Sequence, residues 1–128
     1  MGLQERRQIE RLKTESVPEY EKRLKEYFGK EIPYETDWES FDLEATYSAN
    51  NFFNFIANAL EAVGRDDLGK EAIRESIHRI VVRNITDPKA KKLSLSEGTL
   101  LLEAALGSDD WDGRISDSEI ITYLENTL

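Results

Sequence analysis

Residues 91–106 have the sequence KKLSLSEGTLLLEAAL, and this stretch decides the predicted fold. Leu93 and Leu95 alternate with polar residues, which is the period of a strand that buries one of its faces. Glu97-Gly98 suits a tight turn, because glycine adopts the left-handed backbone that such turns require. The apolar run that follows supplies a second strand, so we predict a β-hairpin over residues 91–106.

The same stretch has a competing interpretation as a helix that begins at Ser96 and ends at Gly107. We favour the hairpin, because Leu93 and Leu95 before the turn need a pairing partner. The consecutive leucines of residues 100–102 then indicate a strand that is covered on both faces.

The segments around the hairpin alternate between helical and strand periods. Apolar residues at helical spacing, together with capping signals such as Ser16, predict helices over residues 16–28, 42–64, 65–77 and 116–128. Alternating or β-branched runs predict strands within residues 31–41 and 78–85. We therefore expect an α+β fold, in which three to four helices pack on a small, mainly antiparallel sheet of about four strands and a helix ends the chain.

The first residues differ in composition from the rest of the chain. Residues 1–15 are mostly charged, and Leu3, Ile9 and Leu12 give them only a thin apolar stripe, so we expect a mobile or helical N-terminal arm. Residues 16–128 contain no repeat and no linker, which predicts a single α+β domain.

The composition argues against catalysis. The 128 residues include no cysteine and a single histidine, His78, so thiolate zinc sites and sites that need two imidazoles are excluded. The sequence has no glycine-rich phosphate loop. Neighbouring carboxylates such as Asp66 and Asp67 do not by themselves make an acid–base pair, which also needs a pocket and a shifted pKa. We expect no enzymatic activity and no cofactor.

Charge and hydropathy limit the possible partners. The net charge of −9 argues against nucleic acid, because phosphate contacts require clustered lysine and arginine. Residues 1–7 are charged and lack the apolar core of a secretory signal. No apolar run approaches the ~18 residues of a membrane span. We therefore expect a cytoplasmic protein with no membrane or nucleic-acid partner.

Residues 108–119, SDDWDGRISDSE, follow the predicted hairpin. They resemble the calcium-binding loop of EF-hand proteins, in which oxygen ligands alternate around a glycine turn. Gly113 matches the turn glycine, and Ile115 matches the apolar residue that packs inward. The resemblance implies Ca²⁺ ligands at Asp110, Asp112, Arg114 (through its carbonyl oxygen), Ser116 and Glu119.

The loop also departs from the EF-hand pattern. Its first ligand position is Ser108 instead of aspartate, and the chain has no second such loop. The entering helix of an EF-hand would occupy the residues of the predicted hairpin. A surface turn at Asp112-Gly113, followed by a helix that Ser116 and Glu119 cap, explains the same residues. We favour this turn and keep a calcium-binding module as the alternative.

The remaining clues point to a protein partner. Residues 96–128 contain eight acidic residues and one basic residue, a net charge of −7. We expect a non-catalytic protein–protein interaction module, of the inhibitor or immunity type, that docks on a second protein with basic character. No motif identifies its protein-binding residues. A third hypothesis is a structural subunit that forms a homodimer, because Phe52, Phe53 and Phe55 point in two directions from the central helix.

Overall fold

The computed structural model describes residues 2–128, which form an α+β fold around a four-stranded sheet of order β1-β2-β4-β3. The strands are β1 (Tyr34–Asp37), β2 (Arg79–Asn84), β3 (Lys92–Ser96) and β4 (Thr99–Ala104). The helices are α1 (Leu3–Arg11), α2 (Val17–Phe28), α3 (Leu43–Val63), α4 (Asp67–Ser76) and α5 (Asp117–Thr127). The predicted α+β class, the four strands and the C-terminal helix are confirmed.

The predicted hairpin is present, and the competing helix is wrong. β3 pairs antiparallel with β4, and Leu95 lies opposite Leu100 across the ladder. Glu97 and Gly98 both have left-handed backbone, with φ values of 51° and 80°. This conformation matches the right-handed twist of the strands on either side of a two-residue turn, which is why a glycine is needed there.

The prediction of a mainly antiparallel sheet is wrong. β1 pairs with β2 in parallel, and β2 pairs with β4 in parallel, so only the hairpin is antiparallel. Parallel neighbours require a long crossover, and residues 38–78, which contain α3 and α4, provide the first one. The second crossover contains β3 itself, because the hairpin turns back and inserts β4 beside β2.

The helices cover one face of this sheet. Val82 and Leu102 point to that face and are completely buried. The opposite face carries charged side chains, among which Arg83 lies 3.4 Å from Asp37 and 2.8 Å from Glu103. Leu101 is only half-buried, because it alternates onto this open face. The prediction that residues 100–102 are covered on both faces is therefore wrong.

The N-terminal region is one continuous helical rod. A π-helical turn, Leu12–Ser16, joins α1 to α2, and Ser16 has helical backbone and makes no capping bond. The predicted helix start at Ser16 is therefore wrong. The wide turn precedes Pro18, whose missing N–H cannot complete a regular helical hydrogen bond. Gln4 of α1 donates to the Tyr47 hydroxyl at 3.0 Å, which links the first turn to α3.

Helix α3 occupies the centre of the molecule. Asp42 caps it by accepting from the Ala45 N–H at 2.8 Å, so the helix begins at the start of the predicted range 42–64. Phe53 is fully buried, and its carbonyl accepts from the buried Tyr34 hydroxyl, whose pKa is raised by that burial. Phe55, in contrast, is 37% exposed.

Trp38 and Phe41, which lie between β1 and α3, connect this region to the core. Phe41 is buried, and the half-buried Trp38 packs against it with 5.3 Å between the ring centroids.

Across residues 2–128, no helix is both long enough and apolar enough to cross a membrane.

Candidate functional site

The segment between β4 and α5 carries an exposed tryptophan on a short turn. We call residues 108–114 the tryptophan loop. Asp110 accepts from the Asp112 N–H at 2.9 Å and thereby caps a single 3₁₀ turn, Trp111–Gly113. A side chain at position 113 would collide with Pro88, so the turn requires glycine there. These short polar bonds hold Trp111 at the surface, where it is 76% exposed.

Acidic side chains surround the exposed indole. Asp109, Asp110 and Asp112 are all exposed, and none of them takes part in an ion pair among the described residues. The apolar indole is thus exposed to solvent next to negatively charged side chains. Tryptophan is enriched among the residues that contribute most to protein–protein binding.

Arg114 fixes the orientation of the loop. Its guanidinium lies over the Trp111 ring, 4.7 Å from the centroid. The same group donates to the Ser48 hydroxyl of α3 at 3.1 Å and to the Ser108 carbonyl at 3.0 Å. Since all these contacts are internal, Arg114 acts as a clamp between the loop and α3, and one face of the indole remains open.

A groove of about 190 Å³ separates the tryptophan loop from α3. Its apolar lining comes from Phe52, Phe55, Leu106, Trp111 and Ile115, and its polar lining from Ser48, Asn51, Arg114, Ser116 and Glu119. Helical spacing places Ser48, Asn51 and Phe55 on one side of α3, facing the loop. The groove therefore combines residues that are about sixty positions apart in the sequence.

The five residues that the EF-hand resemblance implies are divided between different contacts. Asp110 and Asp112 bond to each other within the turn. Ser116 accepts from the Glu119 N–H at 3.2 Å and caps α5, as predicted, whereas the predicted capping by the Glu119 side chain is wrong, because that carboxylate pairs with Lys91. The strand β4 occupies the place of the entering helix.

A lysine occupies the space between two of the implied calcium ligands. The Lys91 ammonium donates to the Arg114 carbonyl at 3.2 Å and to the Glu119 carboxylate at 3.1 Å. Within the described part of the chain, no group of three or more His, Asp or Glu side chains is placed to hold a metal ion. Calcium binding stays a prediction, and Lys91 already neutralises the carboxylate that would close the site.

His78 lies at the hairpin turn, away from the groove. Its Nδ1 is 2.7 Å from the Lys30 ammonium, which also donates to the Arg74 carbonyl at 2.5 Å. Partial burial, with a further contribution from Arg74, lowers the pKa of Lys30. The imidazole packs on Gly98, where a side chain would collide with it. These contacts give His78 a structural role at the turn.

Comparison with protein-family models, with curated proteins and with solved structures finds no match to this chain. The EF-hand resemblance implies that Asp110, Asp112 and Glu119 are metal ligands, and it assigns no role to Trp111 between them. The available signal was a tryptophan in a stretch with no apolar period, flanked on both sides by aspartate. The groove had no such signal, because Asn51 and Phe55 reach it only through the fold.

Proposed function

We propose that this chain is a non-catalytic protein-interaction module that docks on a basic protein through its tryptophan loop. The observation that carries this proposal is Trp111, which is 76% exposed among exposed aspartates. Trp111 is not an isolated apolar residue, because it lines a groove together with Phe52, Phe55 and Ile115, and contiguous apolar surface of this kind marks interaction sites.

Burial of this indole would supply much of the binding energy. An aromatic side chain buries ~150–250 Å² in an interface. At ~25 cal/mol per Å², covering the exposed three quarters of Trp111 is worth about 3–5 kcal/mol before the costs of association. Arg114 holds the ring in place, so the ordering cost is partly met in the free protein.

Charge supports a basic partner. The loop aspartates form no ion pair within the described residues, and the whole chain carries −9. Unpaired charge at the edge of a contact site steers an oppositely charged partner and raises the association rate. An inhibitor or immunity-type protein that neutralises a basic target would use such a surface.

Affinity capture with matched variants tests the proposal. Wild-type protein, Trp111→Ala and Leu68→Ala are each used as bait in extracts of the source cells. Leu68 on α4 is 83% exposed and lies outside the groove, so it controls for loss of any exposed apolar side chain. We expect a basic protein that wild type and Leu68→Ala retain and that Trp111→Ala loses. Retention by all three baits, or capture of no specific protein, contradicts the proposal.

Stopped-flow binding to the captured protein tests the role of charge. Replacing Asp109 and Asp112 by asparagine should slow association, and the difference should shrink as salt screens the charges. The pair Asp67→Asn and Glu75→Gln removes the same charge from α4 and should have a smaller effect. Equal rates for the two double variants would show that net charge alone, without the loop, steers the partner.

A further inference from the structure

We infer that the groove beside Trp111 receives one large apolar side chain from a basic peptide segment of the partner. This inference rests on the proposed function and adds the chemical nature of the partner's contact. It is carried by the size of the groove, its lining and the charge of its rim.

The groove is smaller than the usual site for a small-molecule ligand. Sites for such ligands have volumes of ~300–1,000 Å³, whereas this groove has about 190 Å³. That space suits a single side chain that projects from a larger surface. Anchors of this kind, placed in a pocket near the centre of an interface, account for most of the energy of many protein complexes.

The lining favours an apolar anchor. Phe52, Leu106 and Ile115 are buried side chains that form the apolar floor, while Phe55 and Trp111 form partly exposed walls. These walls would both lose solvent contact when an aliphatic or aromatic side chain enters, which makes the entry favourable.

A peptide backbone can be bound at the edge of the groove. The Asn51 side chain is exposed and makes no hydrogen bond among the described residues, whereas Asn50, Asn54 and Asn58 on the same helix bond to α2. Its amide offers both a donor and an acceptor, which is the combination that pairs with a peptide group.

The charges of the tryptophan loop select basic residues next to the anchor. Asp109, Asp110 and Asp112 flank Trp111 in the loop, whereas the Glu119 carboxylate in the lining is paired with Lys91. The one cation in the lining, Arg114, is engaged with Trp111, Ser48 and Ser108. A second copy of this chain, with a net charge of −9, would bring like charge to this rim. A segment rich in arginine or lysine is therefore the complementary occupant.

Selection from a phage library of random dodecapeptides tests the inference on the full chain. We expect enriched peptides to contain one large apolar residue with arginine or lysine close to it in the sequence. Asn51→Trp fills the groove without changing charge, and it should weaken a selected peptide by about tenfold or more. The matched control Asn51→Ala leaves the groove open and should weaken the peptide much less. Unchanged near-UV circular dichroism and urea midpoints establish that both variants are folded.

The outcomes separate this inference from the proposed function. Enriched peptides that lack an apolar residue, that are acidic, or that bind Asn51→Trp as tightly as wild type overturn the groove inference. Failure to enrich any peptide also overturns it. If the captured protein is lost by Trp111→Ala yet kept by Asn51→Trp, the interaction module stands and the groove is not its anchor site. If Trp111→Ala keeps that protein, the proposed function itself fails.

Discussion

The β3–β4 hairpin and the tryptophan loop are neighbours in the sequence, yet they place their apolar side chains in opposite environments. In the hairpin, Leu100 and Leu102 are 0% exposed, and the turn joining its two strands is held by backbone geometry. In the loop, Trp111 is 76% exposed, and the turn around it is held by aspartate and arginine side chains. The hairpin therefore contributes to the folding energy, whereas the apolar surface of the loop remains available for binding.

The comparison also separates two uses of charge. On the open face of the sheet, Arg83 lies between Asp37 and Glu103, so each charge has an opposite neighbour. In the loop, the exposed aspartates have no such neighbour among the described residues. Paired surface charges contribute little to association, while unpaired charges leave a field that a partner can neutralise. The charges of the sheet face are thus balanced, whereas the loop carries unbalanced negative charge.

The largest expected effect comes from truncating one apolar residue in each region. Leu102→Ala should lower the free energy of unfolding by ~2–5 kcal/mol, because the side chain is fully buried. Trp111→Ala should lower it by less than about 1 kcal/mol, mainly through the lost stacking of Arg114. Urea denaturation of the two variants measures both values. Equal losses would place Trp111 in the folding core and remove the contrast between the regions.

Alanine at the hairpin turn tests how strongly backbone geometry holds the first region. Gly98→Ala must adopt a φ of +80° and also collide with the His78 ring, so we expect a loss of ~2–4 kcal/mol. Gly29→Ala is the control, since φ is +71° and nothing lies within 4 Å of the added Cβ. It should lose only ~1–2 kcal/mol. Equal losses would show that contact with His78 contributes nothing to the turn.

The hairpin was predictable because its signals are local, whereas the sheet around it was not. Glu97-Gly98 and the alternating leucines specify a turn and two strands within sixteen residues. The parallel pairing of Ile80 with Leu100 depends on crossovers that strand periodicity does not encode. The helix start at Ser16 was mispredicted because a cap and a π-helical turn before proline have the same local sequence.

The candidate site was only partly predictable, for the same reason. The turn at Asp112-Gly113 and the cap at Ser116 follow from neighbouring residues and are confirmed. The contact of Arg114 with Ser48 joins positions that are 66 residues apart, and that of Lys91 with Glu119 joins positions 28 apart. Neither contact can be inferred from the sequence pattern. The calcium-like pattern remained ambiguous because only the fold reveals that Lys91 reaches it.

A smaller effect is expected where the loop joins α5. Ser116→Ala removes the side chain that accepts from the Glu119 N–H, and this should cost about 1 kcal/mol of unfolding free energy. Ser118→Ala is the control, because its side chain has no capping bond within the described residues. Thermal denaturation compares the two. If both variants are equally stable, the bond from Ser116 to the Glu119 N–H does not stabilise the start of α5, and the loop is less firmly held than the hairpin.

The smallest expected effect on stability is at Lys91, which directly precedes β3 and contacts the end of the loop. Lys91→Met removes two partly exposed bonds, to the Arg114 carbonyl and the Glu119 carboxylate, and should cost only ~0.2–1 kcal/mol. Titration of the wild-type protein and of Lys91→Met with Ca²⁺ tests the calcium hypothesis. Asp110 and Asp112 bond within their own turn, so we expect no heat of binding from either protein at millimolar calcium. Binding by the variant alone would identify the lysine as an internal substitute for the cation. Binding by wild type would restore the calcium module as a function, and the loop would then be a metal site before it is a contact site.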